Sequence, residues 1–459
     1  MSHQSTFLHD LAWRGQLAQV TDVQSLDKHL STGPAQARKA YVGFDPTADS
    51  LTIGNLVGIM ALARFQRAGH TPVAIMGGGT GLIGDPSGKT AERQLRTVQE
   101  IEANVRNIQR IFAGGELFDS SAKSNPLATI NNIDWLGKIS YLDALRDIGK
   151  HFSVNMMMQK DSVKERLTNR DQGISYTEFS YMILQAYDFQ QLHEKHGVTM
   201  QMGGSDQYGN IVVGMDLIAK KANERPKEET NEAARDSGGK GAYGLTWPLV
   251  TKADGSKFGK TESGAIWLTA RKDASDTSPT RTSAYAYYQF WLNAADADVI
   301  RFIKTYTFLS QEEVGGLEHS LLVNPGAREA QRALAREATR VIHGASTMEQ
   351  AESAGKALFS GEVATLSHEL LDEVFSSVPT TTHAKATLEG TGVNLLDLLV
   401  TTQLATSKRE AKEFLTGGSV TINGRKAGAE DQLHATDLLH GEVIAIRRGK
   451  KAWHVTRWR

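Results

Sequence analysis

Two short β-rich runs, AYVGF (40–44) and PVAIMGG (72–78), bracket a segment of helical periodicity, NLVGIMALARFQRAG (55–69). A strand, a helix and a second strand in so short a span make a βαβ unit, and the crossover obliges the two strands to run parallel. Strand-like and helical stretches keep alternating to about residue 275. The fold class expected is therefore α/β. Its first part, 1–278, should be a Rossmann-like parallel-sheet domain with ligands gathered at the carboxyl edge of the strands.

The pattern then changes. Residues 279–375 read as a helical, strand-poor domain, as in REAQRALAREATRVIHGA (328–345). SSVPTTTHAKATLEGTG (376–392) reads as a linker, and 393–459 as a small α+β domain. In that last part a helix-loop-helix pattern leads into SVTINGRK, whose Asn423-Gly424 pair signals a two-residue hairpin turn. The polar, glycine-rich stretch 227–242 reads as an exposed loop. Residues 393–459 hold 11 Lys and Arg against 7 Asp and Glu, whereas the whole chain has a net charge of −1, so the rest is net acidic. A basic terminal module on an acidic body suggests a polyanionic partner, although a solvated tail has the same composition. No apolar run approaches the roughly 20 residues needed to cross a bilayer. The first residues lack the apolar core of a secretory leader. The absence of cysteine excludes disulfides, thiol nucleophiles and thiolate-bound zinc. A cytoplasmic protein is expected.

Two glycine-rich motifs invite a nucleotide-binding reading and fail it. GTGLIG (79–84) matches G-x-G-x-x-G after a strand, but the DPSG that follows is poor material for a phosphate-binding helix. GDPSGKT (84–90) resembles a Walker A loop, yet it is one residue short between its glycines and contains a proline that donates no amide hydrogen. Lys89 and Arg93 remain as loop cations able to reach a phosphate, or as plain surface charge.

Four segments carry chemistry-bearing residues. YVGFDPTADSLTIGNL (41–56) runs from a strand end through a proline turn to a helix start, a place that attracts anions. Asp49 or Ser50 is expected to cap that helix. In YTEFSYMILQAYDF (176–189), Tyr181, Gln185 and Asp188 fall at i, i+4 and i+7 and share one helix face. Burying a carboxylate without a partner is costly, so this face is either solvated or the floor of a polar pocket. QMGGSDQYGN (201–210) sets Asp206 and Gln207 after a strand, where an aspartate also serves as a turn cap. KADGSKFGKTESG (252–264) places Lys257 and Lys260 three apart on a glycine-rich loop, positioned to face a phosphate chain or solvent.

In this order and spacing the segments resemble the class I aminoacyl-tRNA synthetases, and specifically their tyrosyl branch. Segment 41–56 is similar to the HIGH signature region and 252–264 to the KMSKS loop. With the C-terminal module the likeness covers nearly the whole chain. The resemblance implies that Thr47 contacts the outer phosphate of ATP and that Gly54 admits adenine against the backbone. Thr52 and Asn55 fall at the two signature histidines. Thr52 is a departure, because a hydroxyl is shorter than an imidazole and carries no charge. Lys257, Lys260, Lys89 and Arg93 would gather around the leaving pyrophosphate. Gly43, Asp45, Gly54, Gly204, Asp206 and Lys260 are the residues implied for ATP and the adenylate. For tyrosine, Tyr41 and Asp188 are implied to bond the phenol. Tyr181, Gln185, Asp85 and Thr80 would hold the ammonium group, with Gln207 near the carboxylate and Asn132 behind the ligands.

The substrate carboxylate is itself the nucleophile, so the implied catalysis is by positioning and charge stabilisation. Mg²⁺ would accompany ATP, held mainly by phosphates and water, with no ion bound tightly by the protein. The helical segment resembles the family's anticodon-contacting domain. Residues 393–459 resemble the small RNA-binding module shared with a ribosomal protein, in which Ser407, Lys408, Arg409 and Lys412 would open a helix toward RNA phosphates. Tyrosine tRNA is the implied partner, and a homodimer the implied assembly. Three alternatives stand beside this reading. One is the tryptophanyl sibling, against which the pairing of Tyr41 with Asp188 argues for a phenol. The others are a nucleotidyltransferase on the same signature and an inactive RNA-binding paralogue, for which Thr52 is the support.

Overall fold

The computed structural model describes residues 3–31, 37–85, 96–160, 163–164, 167, 174–224, 241–255, 258–261, 264–272, 276–376, 378–449 and 452–459. The chain forms two compact units. One comprises Met1–Thr269, Thr280–Thr282 and Asn293–Gly344, and the other Ala270–Pro279, Ser283–Leu292 and Ala345–Arg459. The helices expected at 279–375 form, but they are divided between the two units. Of the loop expected at 227–242, all but Gly241 and Ala242 lies outside the described residues.

The first unit holds a sheet of β1 (Gln19–Val20), β2 (Lys39–Phe44), β3 (Thr71–Met76), β4 (Ala128–Asn131), β5 (Met200–Gly204) and β6 (Tyr243–Trp247). Their order is β1-β6-β5-β2-β3-β4, parallel throughout except for β1 against β6. From β2 the chain moves outward through β3 and β4, then returns to β5 on the other side of β2. Connections therefore diverge above β2 and β5, which opens a crevice at their carboxyl ends. Helix α1 (Leu56–Arg67), the crossover expected from the sequence, is buried on nearly every side. Its apolar run from Leu56 to Ala63 suits a helix with little solvated face, and the buried Arg64 and Gln66 that follow are hydrogen-bonded to backbone carbonyls. Helix α2 (Tyr176–His196) starts where the Ser175 side chain accepts from the Glu178 amide, and it ends at Gly197 in the left-handed conformation. Glu178 in its first turn and His193, Lys195 and His196 in its last complement the helix dipole. Helix α3 (Tyr208–Asn223) packs beside it, and Tyr41, Val73, Ile75, Phe189, Leu192, Ile211 and Met215 form the core between helices and sheet.

The second unit contains β7 (Thr380–His383), β8 (Val420–Ile422), β9 (Arg425–Lys426), β10 (Val443–Arg448) and β11 (Ala452–Trp458), in the order β9-β8-β10-β11-β7. Asn423 (φ 49°) and Gly424 (φ 89°) both take the left-handed conformation, with Ile422 opposite Arg425, as a two-residue hairpin of this twist requires. Residues 376–392 differ from the linker expected. Thr380–His383 form an edge strand parallel to β11, and the β-branched threonines suit that pleated surface. Among the described residues no helix is long and apolar enough to cross a membrane.

Candidate active site

A cavity of about 510 Å³ opens at the carboxyl ends of β2, β3 and β5. Tyr181, Gln185 and Asp188 of α2 all line it, so of the two readings of their shared helix face it is the pocket floor that forms. At its closed end Asp188 and Tyr181 join one hydrogen-bonded chain. Asp188 accepts from Trp135 Nε1 at 2.7 Å and from Asn132 Nδ2 at 2.8 Å. Asn132 Nδ2 also donates to Thr80 Oγ1 at 3.0 Å, Thr80 donates to Asp45 Oδ1 at 2.9 Å, and Tyr181 OH donates to Asp45 Oδ2 at 3.1 Å. Gly77 makes the approach of Asp45 possible, since a β-carbon there would lie 2.3 Å from Asp45 Oδ1. A second chain runs along the rim. Gln185 Nε2 donates to Gln207 Oε1 at 3.2 Å, and Gln207 Nε2 donates to Asp85 Oδ2 at 3.0 Å and to Asp206 Oδ2 at 3.2 Å.

Burial dominates the electrostatics of the closed end. It pushes the Asp188 carboxyl up to about 7, with the Asn132 and Trp135 hydrogen bonds opposing and the charge of Asp45 reinforcing. Tyr181 is raised well above the usual phenol value by burial and then by Asp45 and Asp85. Tyr41 is raised likewise by burial and by Asp188, and its buried hydroxyl has no hydrogen-bond partner among the described residues. The described lining contains Asp45, Asp85, Asp188 and Asp206 but no lysine or arginine. Such a cavity suits an ammonium group, and it leaves Tyr41 and Asp188 short of one polar partner at the closed end.

The open end is made by backbone turns. Thr47, Thr52, Gly54, Asn55, Gly43, Gly204 and Asp206 line it. Thr52 donates to Asn55 Oδ1 through both its amide, at 3.0 Å, and its hydroxyl, at 2.9 Å. The caps expected at 49 and 50 are not made. Ser50 Oγ donates to Thr269 Oγ1 at 2.8 Å, and Asp49 pairs with Arg281 at 2.7 Å and with Thr280. A tight turn from Thr52 to Asn55 intervenes, and Asn55 itself precedes α1 with no side-chain cap bond. Lys89, Arg93 and Lys257 lie outside the described residues, as does the side chain of Lys260, whose backbone pairs with Ala265. The G-x-G-x-x-G run is no phosphate cradle, because its amides are already engaged. Gly79 donates to Asn132 Oδ1 at 2.7 Å and Gly81 to the Gly77 carbonyl at 2.7 Å.

Three residues of the site escaped the sequence reading. Trp135 follows Asn132 by one helical turn in NNIDW, so the same motif carried both donors to Asp188. Asn210 donates to Gln185 Oε1 at 3.0 Å from the turn after Gln207. Gln201, on β5, lines the cavity with a buried Oε1 that has no partner among the described residues. In the second unit, Ser407 caps the helix Lys408–Thr416 by accepting from the Glu410 amide at 3.3 Å. Lys408 pairs with Asp397, Arg409 with Glu413 at 3.2 Å, and Lys412 is exposed.

A nucleotide-sized crevice at the switch point of a parallel sheet, entered by an interrupted HIGH-type turn, is the arrangement of the class I tRNA synthetases. Residues 34–360 match the family described as tRNA synthetases class I (W and Y). Residues 371–456 match the tyrosine–tRNA ligase SYY-like C-terminal domain. The chain is 45% identical over 454 residues to a tyrosine–tRNA ligase of Roseiflexus castenholzii, covering 99% of each. It is 47% identical over 454 residues to one of Bacillus caldotenax, covering 98% of this chain and 99% of that one. A C-terminally truncated mitochondrial tyrosyl-tRNA synthetase of Aspergillus nidulans aligns over 77% of this chain and 94% of its own, with a TM-score of 0.66 and 30% identity. The chain belongs to the tyrosine–tRNA ligases of class I.

Proposed function

We propose that the chain activates L-tyrosine with ATP and passes the tyrosyl group to the 3′-terminal adenosine of tyrosine tRNA. The observation that carries the specificity is the closed end of the cavity, where the buried hydroxyl of Tyr41, without a partner among the described residues, and the buried carboxylate of Asp188 await one more polar group. A phenol supplies it, donating to Asp188 and accepting from Tyr41. Phenylalanine would leave both without it. Asp45, Thr80, Asp85, Tyr181 and Gln185 favour the substrate ammonium, and Gln207 stands beside its carboxylate.

That carboxylate attacks the α-phosphorus of ATP, the bond to the bridging oxygen breaks, and pyrophosphate leaves. Thr47 and Asn55, with Lys89, Arg93, Lys257 and Lys260, stabilise the departing charge. Gly43, Gly54, Gly204 and Asp206 accommodate the adenosine. The ribose hydroxyl of the tRNA then attacks the adenylate carbonyl, releasing AMP. Magnesium enters with ATP as part of the substrate. Among the described residues, the close group of His, Asp and Glu side chains (His368, Asp372 and Glu442) belongs to the second unit and is already bridged by Arg457.

The helical segment 279–375 and the basic module 393–459 serve tRNA, with Ser407, Lys408, Arg409 and Lys412 near its phosphates. A homodimer is supported by the exposed apolar side chains Tyr141, Leu142, Val154, Met156 and Tyr176 on the first unit. The setting is the cytoplasm.

Pyrophosphate exchange without tRNA tests the reading, run with tyrosine, tryptophan and phenylalanine. Exchange with tyrosine alone is expected. Exchange with tryptophan would reassign the pocket, and none at all in a folded protein would favour an RNA-binding paralogue.

A further inference from the structure

The turn that opens the phosphate side of the cavity contains Thr52 where the family signature has its first histidine. The structure shows what this hydroxyl is engaged with. Asn55 Oδ1 receives the Thr52 backbone N–H at 3.0 Å and the Thr52 hydroxyl at 2.9 Å. A backbone N–H can only donate, so the amide atom facing it must be the oxygen. The Asn55 Nδ2 group is therefore turned away from the turn. Among the described residues it meets no acceptor, and Asn55 lines the cavity. The hydroxyl of Thr52 has one hydrogen, already given to Asn55, and so none remains for a phosphate oxygen.

The backbone of the turn is itself held. Thr52 bridges Trp267, the Ile53 amide donates to the Ile266 carbonyl at 2.9 Å, and the Leu268 amide donates to the Leu51 carbonyl at 2.8 Å. Gly54, between the two residues, adds no side chain.

We propose that Thr52 is a positioning residue. It does not touch ATP but locks the Asn55 amide so that its NH₂ faces the leaving phosphates, the hydroxyl and amide together doing the work of the histidine pair. The inference rests on the proposed activity and narrows the role that the signature position would otherwise imply for Thr52. Losing one of two tethers on an exposed amide is worth about fivefold in rate.

The test is a double-mutant cycle in tyrosine-dependent pyrophosphate exchange. Thr52→Val, which keeps the shape and removes the hydroxyl, should lower kcat about fivefold and leave the KM for tyrosine unchanged. Thr52→Ser should restore most of that loss. In an Asn55→Ala background Thr52→Val should have no further effect, because the group it orients is gone. Tyrosine binding without ATP, unchanged in all variants, reports that the cavity is intact. A Thr52→Val loss of equal size with and without Asn55 would mean that Thr52 meets ATP directly, and no loss in the wild-type background would mean that the tether is idle. Either result overturns the proposal. Absence of exchange in the wild type would remove the proposed activity, and this inference with it.

Discussion

The two ends of one cavity are built by different means. At the closed end the side chains come from β2 and the turn after it, β4's following turn, the short helix after β3 and α2, and all but Tyr41 are bonded to one another before any ligand arrives. At the open end the described lining includes turn backbone and the short polar side chains of Thr47, Thr52 and Asn55, and the expected cations Lys89, Arg93 and Lys257, with the side chain of Lys260, lie outside the described residues. On the proposed function, the difference follows from what each end must do. Choosing one amino acid requires groups held in place and left one partner short, so that a wrong ligand leaves them desolvated. Expelling pyrophosphate requires charge that is strongest in the transition state, which loop residues supply better than a prebuilt pocket.

The largest test of this division is Asp188→Ala. It removes the acceptor of Trp135 and Asn132 and, on the proposed function, that of the substrate phenol. Tyrosine-dependent kcat/KM should fall about a thousandfold, and the free protein should lose roughly 1–3 kcal/mol in denaturant unfolding as two buried donors are orphaned. Lys260→Ala is the matching change at the other end. It should lower kcat about a hundredfold while leaving tyrosine affinity and unfolding untouched. If Lys260→Ala weakened tyrosine binding as much as turnover, the two ends would not be separable.

What was legible in the sequence divides along similar lines. The βαβ unit at 40–78, the polar face of α2 and the Asn423-Gly424 hairpin depend on periodicity and turn chemistry within a few residues, and all three form as read. The partnerships inside the cavity do not. Tyr181 bonds Asp45 from 136 residues away, and Trp135 bonds Asp188 from 53. No local pattern announces such pairs, so Trp135 was missed and Asp45 was assigned to ATP without its bonds to Thr80 and Tyr181. Asp49 and Ser50 looked like caps because their residue types favour that role. Their partners, Arg281 and Thr269, come from far along the chain. The strand Thr380–His383 was read as a linker for the same reason, because its partner is the last strand of the chain.

Tyr41→Phe gives a smaller effect and opposite signs in the two readouts. The hydroxyl is buried without a partner among the described residues, so removing it should stabilise the ligand-free protein by about 1 kcal/mol. The preference for tyrosine over phenylalanine in exchange should drop about tenfold, since one of the two groups proposed to recognise the phenol is gone. A pocket built for selectivity is expected to carry such a cost in stability. Loss of stability in Tyr41→Phe would show that the hydroxyl is already satisfied in the free protein.

The smallest effect concerns protons. Burial holds Asp188 up to about 7 in the empty cavity, above its ordinary value of 3.8. The folded protein thus binds this proton more tightly than the unfolded chain does. The resulting contribution to stability is complete below 3.8 and is lost as pH rises through about 7. A tyrosine phenol donating to Asp188 favours the ionised carboxylate and pulls its value down. Binding should therefore release a proton near neutrality, and tyrosine affinity should rise several-fold between about pH 6 and pH 8 before levelling off. Calorimetry in buffers of different ionisation enthalpy counts that proton directly. At the open end no such titration is expected, because Thr52 and Asn55 carry no ionisable group where the signature would place histidines. Affinity for tyrosine that falls across the same window would mean that Asp188 meets the phenol as a neutral acid, and the closed end would then recognise its ligand by donating rather than by accepting.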